Sequence, residues 1–180
     1  ASVLGGFSNT ANGVGSIAIG ENTTTRSING NFSFSGCDGA VAFVQGVSQT
    51  SILTLGRQTT DATPTVLSSN SVAAGSTNQV ILPNNSAYYF RGEVIAGVTG
   101  GGNTKGWYIE GVIKRGSGVG TAALVGTPTV TSLYADVGAS TWTIGVTADT
   151  TNGGLAVTFT GQASTTIRCV AQIRTTEMTY

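Results

Sequence analysis

Between Tyr88 and Arg115 the chain alternates with period two on both sides of a triple glycine. Phe90, Gly92, Val94, Ala96 and Val98 interleave with Tyr89, Arg91, Glu93, Ile95 and Gly97. Past Gly100–Gly102, the residues Trp107, Ile109, Gly111 and Ile113 interleave with Tyr108, Glu110, Val112 and Lys114. Successive residues of a strand point to opposite faces, so each arm has one apolar and one polar side, the pattern of a long β-hairpin. A turn centred on Gly100 and Gly101 sets Arg91 opposite Glu110, Glu93 opposite Tyr108 and Val94 opposite Trp107. A register longer by two residues would set Glu93 against Glu110, a like-charge pair, which favours the first arrangement. The stretch GGGNTK ends in Lys105 but joins two strands instead of opening a helix, so it reads as a turn and not as a phosphate cradle.

The rest of the composition agrees with β-structure. Gly, Ser and Thr supply 73 of the 180 residues, and only 9% are charged. Abundant Val and Thr, punctuated by glycine, predict an all-β chain with many turns, and no segment shows a helical apolar period. Eight basic and eight acidic residues cancel, so nothing suggests nucleic acid or an anionic membrane surface. No apolar run is long enough to cross a membrane as a helix. The chain opens at Ala1, already inside a repeat, which predicts a piece or processed product of a longer protein. Cys37 and Cys169 are read as separate small apolar residues in preference to a single bridge.

That repeat occupies residues 1–36. SVLGG (Ser2–Gly6) and SIAIG (Ser16–Gly20) match at a spacing of fourteen, and SFSG (Ser33–Gly36) follows loosely. TANG (Thr10–Gly13) and SING (Ser27–Gly30) recur at seventeen, so the period is uneven. Short β-stretches between Asn-Gly turns at this interval suggest stacked coils with Val3, Ile17 and Ile19 directed inward, either into the coil or towards neighbouring chains. So few coils bury little area, so support must come from elsewhere: upstream chain, the rest of this chain, or other copies. Residues 40–56 read as one or two strands leading out of the repeat, and the polar, proline-bearing 57–71 as a connector with a short strand at Thr65–Leu67. Further strands are expected at Asn78–Leu82, Ala122–Val125, Thr129–Tyr134, Thr141–Thr147 and Leu155–Thr160. The closing strand, STTIRCVAQIRTTEMTY, alternates Ile167, Cys169, Ala171 and Ile173 against Arg168, Val170, Gln172 and Arg174, giving it an exposed basic side. Trp107 and Trp142 fall in the apolar alternation and are expected in the core.

Two stretches resemble known families. SVLGGFSNTANGVGSIAIG resembles the head repeats of trimeric autotransporter adhesins, in which an S-x-A-I-G motif marks the strands of a left-handed β-roll; similar repeats occur in phage tail fibres and tailspikes. The longer second turn (ENTTTRSING) and the phenylalanines Phe32 and Phe34 depart from that pattern. GWYIEGVIKRG and VTADTTNGGLAVTFTG look like the C-terminal domain of phage tail fibre and related virion proteins, over roughly the last half of the chain. These resemblances imply a short β-roll, solenoid-like or interwound stem at 1–56, the connector at 57–71, and an antiparallel, jelly-roll-like β-sandwich head at 72–180, the whole homotrimeric. They further imply a location on the virion tail, an extracellular particle. The implied partners are other copies of the chain and a bacterial surface polysaccharide or lipopolysaccharide, with no nucleic acid and no membrane insertion.

The residues do not favour catalysis. The absence of histidine removes Ser-His-Asp and Cys-His systems and makes a zinc site implausible. No cofactor motif and no metal-ligand spacing is present. Of the eight carboxylates only Glu93 and Glu110 fall on one expected face, and basic or phenolic neighbours there keep them ionised, whereas a glycosidase acid needs a raised pKa. The expectation is therefore a non-enzymatic chain, with Arg91, Glu93, Tyr108, Glu110 and Lys114 as candidate binding residues. Tyr88, Tyr89, Tyr134 and Tyr180 are further possible platforms for a sugar. The implied function is attachment of a phage tail fibre tip to a host glycan; the alternative is a structural trimerisation or head-decoration domain without receptor contact.

Overall fold

A chain of β-branched residues and glycine is suited to strands and turns, and the computed structural model, which describes residues 1–36 and 39–180, holds no α-helix among them. Cys37 and Asp38 lie outside the described residues, and with Cys37 the expectation that it stands apart from Cys169. Thirteen strands follow in order: β1 (Ser2–Phe7), β2 (Ile17–Glu21), β3 (Phe32–Ser35), β4 (Ser48–Thr59), β5 (Thr65–Val66), β6 (Val80–Ile81), β7 (Ser86–Val98), β8 (Thr104–Arg115), β9 (Ala123–Leu124), β10 (Thr129–Ala135), β11 (Thr143–Asp149), β12 (Gly154–Thr160) and β13 (Ile167–Thr179). A nine-stranded mixed sheet runs β1-β2-β3-β4-β13-β7-β8-β10, with β9 also on β8. A four-stranded antiparallel sheet runs β11-β12-β5, with β6 also on β12.

The repeat becomes a stack of parallel strands. β1 pairs with β2 and β2 with β3, both parallel, and Thr10 bridges Thr24 in a second parallel column. Glycine explains the motif. A Cβ on Gly6 would lie 1.6 Å from the Gly20 carbonyl oxygen, one on Gly20 1.9 Å from that of Ser35, and one on Gly13 2.0 Å from that of Ile28. Gly6 and Gly20 also hold positive φ, +91° and +100°, which glycine adopts at no steric cost. The step is 14 to 15 residues, so Thr10–Gly13 stacks on residues 24–28, reaching Ser27 and Ile28 of SING but not in the seventeen-residue register.

Of the two directions expected for Val3, Ile17 and Ile19, the interior of the stack is not the one they take. Val3 is exposed and the two isoleucines are half-buried, while Ala18, Ser16, Ser33, Thr23 and Thr25 are buried. The strand stack thus buries small side chains, Ala18 and otherwise hydroxyl groups. They satisfy one another: Ser16 bonds the Gly13 carbonyl at 2.7 Å and Thr25 at 3.1 Å, Asn31 donates to Ser33 at 2.9 Å, and Ser33 meets Ser51 of β4 at 3.0 Å. Buried hydroxyls paired in this way avoid the desolvation penalty of unpaired ones. Despite Phe32 and Phe34, β3 keeps its parallel register on β2, because Phe34 points outward.

Period two then builds the two-sheet core. Leu53 and Leu55 of β4, Phe90, Val94 and Ala96 of β7, Trp107, Ile109 and Ile113 of β8, and Ile167, Cys169, Ala171 and Ile173 of β13 all face one side of the large sheet. Ile144, Val146, Leu155, Val157 and Phe159 of the small sheet pack against them, joined by Trp142 from the loop before β11. The rings of Trp107 and Trp142 each meet Phe159 edge-on at 6.2 Å, a favoured aromatic geometry. Both tryptophans are core residues, as their alternation predicts. Lys105 is buried at the end of β8, donating to the carbonyls of Ser140 at 3.1 Å and Trp142 at 2.7 Å and lying 5.3 Å from the Trp107 ring centre. It is a structural group and takes no part in a phosphate loop.

Candidate functional site

Because the core takes one face of β4, β13, β7 and β8, the alternate residues of the same strands must form a second, outward face. The hairpin register is the expected one, with Arg91 opposite Glu110, Glu93 opposite Tyr108 and Val94 opposite Trp107. β13 lies between β4 and β7, antiparallel to both along nearly its whole length. Two rows of outward side chains therefore cross three strands. One row runs Arg91, Arg174, Ile52, and the next runs Tyr89, Thr176, Thr50. Together with the neighbouring backbone these six line a groove of about 380 Å³.

Four of the five sequence candidates fall together. Arg91 and Glu110 continue the first row onto β8, and Glu93 and Tyr108 form the adjoining row with Gln172 of β13. Lys114 is exposed on the same face but two rows further along β8, roughly 13 Å from Glu110 at ~3.3 Å per residue. Arg91 and Glu110 are register partners without being an ion pair, and the one ion pair among the described residues is Arg26–Glu177. Glu110 instead accepts a hydrogen bond from the Tyr89 hydroxyl. That bond, followed by burial and the Glu110 charge, raises the Tyr89 pKa to about 12, so Tyr89 remains a donor through the physiological range. Arg174 donates from Nε and Nη2 to Gln172 Oε1, both at 3.2 Å, and Arg168 donates to Gln58 at 3.0 Å.

Of the suggested platforms, Tyr89 is 39% exposed and sits in the groove, while Tyr134 and Tyr180 are exposed outside it. Tyr88 is not a platform: its alternation puts it on the core side, 1% exposed, beneath the Arg26 guanidinium at 5.9 Å. Burial first, then the Glu177 charge, hold its hydroxyl well above the usual phenol pKa. Arg174, Thr176, Thr50 and Ile52 were missing from the sequence candidates. The alternation of β13 shows that Arg174 points outward, but nothing in it says that β4 and β7 are its neighbours.

No known family model matches this chain, and no curated protein matches it. Among solved structures it is similar to the crystal structure of the Acinetobacter baumannii phage AM24 tailspike protein, with 11% sequence identity and a TM-score of 0.33. The match covers 91% of this chain and 34% of that one, so the chain spans about a third of that protein's length.

Proposed function

We propose that this chain is a non-enzymatic tip region of a phage tail fibre or tailspike, homotrimeric, with a β-roll-like stem and a jelly-roll-like head, which attaches the virion to a bacterial surface glycan. The observation that carries this reading is the outward sheet face. It is broad, solvent-facing, lined by tyrosines and planar polar side chains, and backed by a packed two-sheet core. Saccharides are held by such aromatic faces and planar hydrogen-bonding groups on rigid supports. The resemblance of the N-terminal repeats and of the last half of the chain to adhesin and tail fibre sequences points the same way. The face does not favour hydrolysis, since Glu110 is engaged by the Tyr89 hydroxyl.

Trimerisation is favoured by the apolar residues of the stem. β1 is an edge strand exposed along its whole length, and Val3, Leu4, Phe7, Val14, Phe34, Phe43 and Val44 are all exposed. An apolar edge of this kind is normally covered. The same patch favours the second reading, a structural virion domain without receptor contact, because it calls for a cover whatever the outward face does. Sedimentation of the purified chain and its binding to bacterial cells and extracted surface polysaccharides separate them. The expected result is a species of about 54 kDa, three times 18.1 kDa, stable to dilution and retained on host cells. A stable monomer sinks the trimeric reading. A trimer that binds no cell or polysaccharide from the host of its phage leaves the structural reading standing.

A further inference from the structure

We propose that Arg91 and Arg174 together form an anion-recognition point in the outer groove, receiving a carboxylate or phosphate group carried by a sugar. The inference rests on the glycan-binding reading and names the chemistry of the ligand. The two arginines are direct register partners on β7 and β13, both exposed. Facing residues of an antiparallel pair lie about 4.5–5.5 Å apart at Cα, and like charges so placed destabilise a sheet unless an anion lies between them. Among the described residues no carboxylate lies between the two. Glu110, the carboxylate opposite Arg91, is engaged by Tyr89, and Glu93 lies one row away beside Gln172. Outward cations Arg91, Arg168, Arg174 and Lys114 face only those two outward carboxylates across β7, β8 and β13.

The groove around the pair suits an acidic sugar. Its volume of about 380 Å³ is at the small end of the range of ~300–1,000 Å³ usual for small-molecule sites. Arg174 is steadied by Gln172 yet keeps its Nη1 donors, and Arg91 makes no hydrogen bond, so two planar forks can converge on one anion. Thr50 and Thr176 add hydroxyls, Tyr89 an aromatic face and Ile52 an apolar wall. Tyr89 is a positioning residue here: its hydroxyl holds the Glu110 carboxylate, still charged, out of a direct ion pair with Arg91.

The test is titration of the full chain with trigalacturonate, with its neutral methyl ester, and with mannose 6-phosphate, the last distinguishing phosphate from carboxylate. The acidic probes should bind at least about tenfold more tightly than the ester, and Arg91→Gln or Arg174→Gln should each lose about tenfold or more, the contribution of one charge-assisted hydrogen bond. Tyr89→Phe keeps the ring but frees Glu110, and should weaken the acidic probes several-fold while leaving the ester unchanged. Both arginines are exposed, so the variants should keep the thermal midpoint of the parent chain. Equal affinity for acid and ester, no binding of either acidic probe, or no effect of the arginine substitutions overturns the proposal. Dissociation of the assembly by Arg91→Gln or Arg174→Gln also overturns it, since the pair would then serve an inter-chain contact. If cell binding survives loss of both arginines, the site fails and the receptor reading stands. If the chain binds acidic saccharides but no host cell, the receptor reading fails and the site stands.

Discussion

Arg26→Ala tests how the coil stack is held to the sheets. Arg26 lies in the turn after β2, and its Nε donates to Glu177 Oε2 of β13 at 3.2 Å, with side chains only 13% and 3% exposed. Its Nη2 donates to the Gly46 carbonyl at 2.6 Å. Glu177 also accepts from Gln49 at 2.9 Å and from the Thr175 hydroxyl at 2.7 Å. Removing the guanidinium leaves Glu177 two neutral donors and no counter-charge in a buried site. Breaking one side of a buried pair costs about 3–5 kcal/mol, whereas a surface pair is worth only ~0–1 kcal/mol. For a chain of this length each kcal/mol moves the thermal midpoint by about 2–4 °C, so the expected drop is roughly 6–20 °C. The double variant Arg26→Met/Glu177→Leu removes both charges and should recover most of that loss, because neither ion is stranded. Calorimetry on both variants at one chain concentration reads the effect. A loss for Arg26→Ala within about 1 kcal/mol of zero would refute the buried-pair reasoning and make this an ordinary surface contact.

Three further outcomes are expected. Gly20→Ala must hold an alanine at φ +100° with its Cβ against the Ser35 carbonyl. The strain is worth about 1–3 kcal/mol, so amides of β1–β3 should exchange faster while those of β7, β8 and β13 stay protected; equal protection throughout would contradict the stacking argument. Burial works to raise the Asp149 carboxyl, but hydrogen bonds from Asn152, Gln79 and Thr151 together outweigh it and hold its pKa below 3.8. A depressed folded pKa gives stability present above the unfolded value and lost as pH falls through the folded one, so the advantage of the parent chain over Asp149→Asn should shrink between about pH 5 and pH 2; a constant difference would sink this. Burial pushes the Cys169 thiol up to about 12. In a Cys37→Ser background, a maleimide should therefore label Cys169 only on denaturation, and rapid native labelling would show that the strand opens.

Local pattern and long-range partnership were legible to different degrees. The Arg91–Glu110 register followed from charge and turn length alone, and β11 and β12 appeared within two residues, β13 within three, of where alternation put them. Alternation assigns a face but not a neighbour. It therefore could not tell that β13 would slot between β4 and β7, that β10 would pair with β8, or that β5 and β6 would both join β12. The Arg91–Arg174 juxtaposition depends on such a pairing, 83 residues apart in the chain, and so was out of reach. In the repeat, alternation marks Ile17 and Ile19 as one face but does not say that the face turned into the stack is the one carrying Ser16, Ala18 and Ser33.

The position of β13 constrains how the protein can be made. It comes last of the thirteen strands in chain order, yet it is the central one that joins β4 to β7. Until it emerges, two long strands carry open hydrogen-bonding edges and an apolar face missing Ile167, Ala171 and Ile173. Such edges recruit other chains. A nascent chain stalled or cut before Ile167 should therefore aggregate instead of waiting half-folded, since the two-sheet core cannot close without β13.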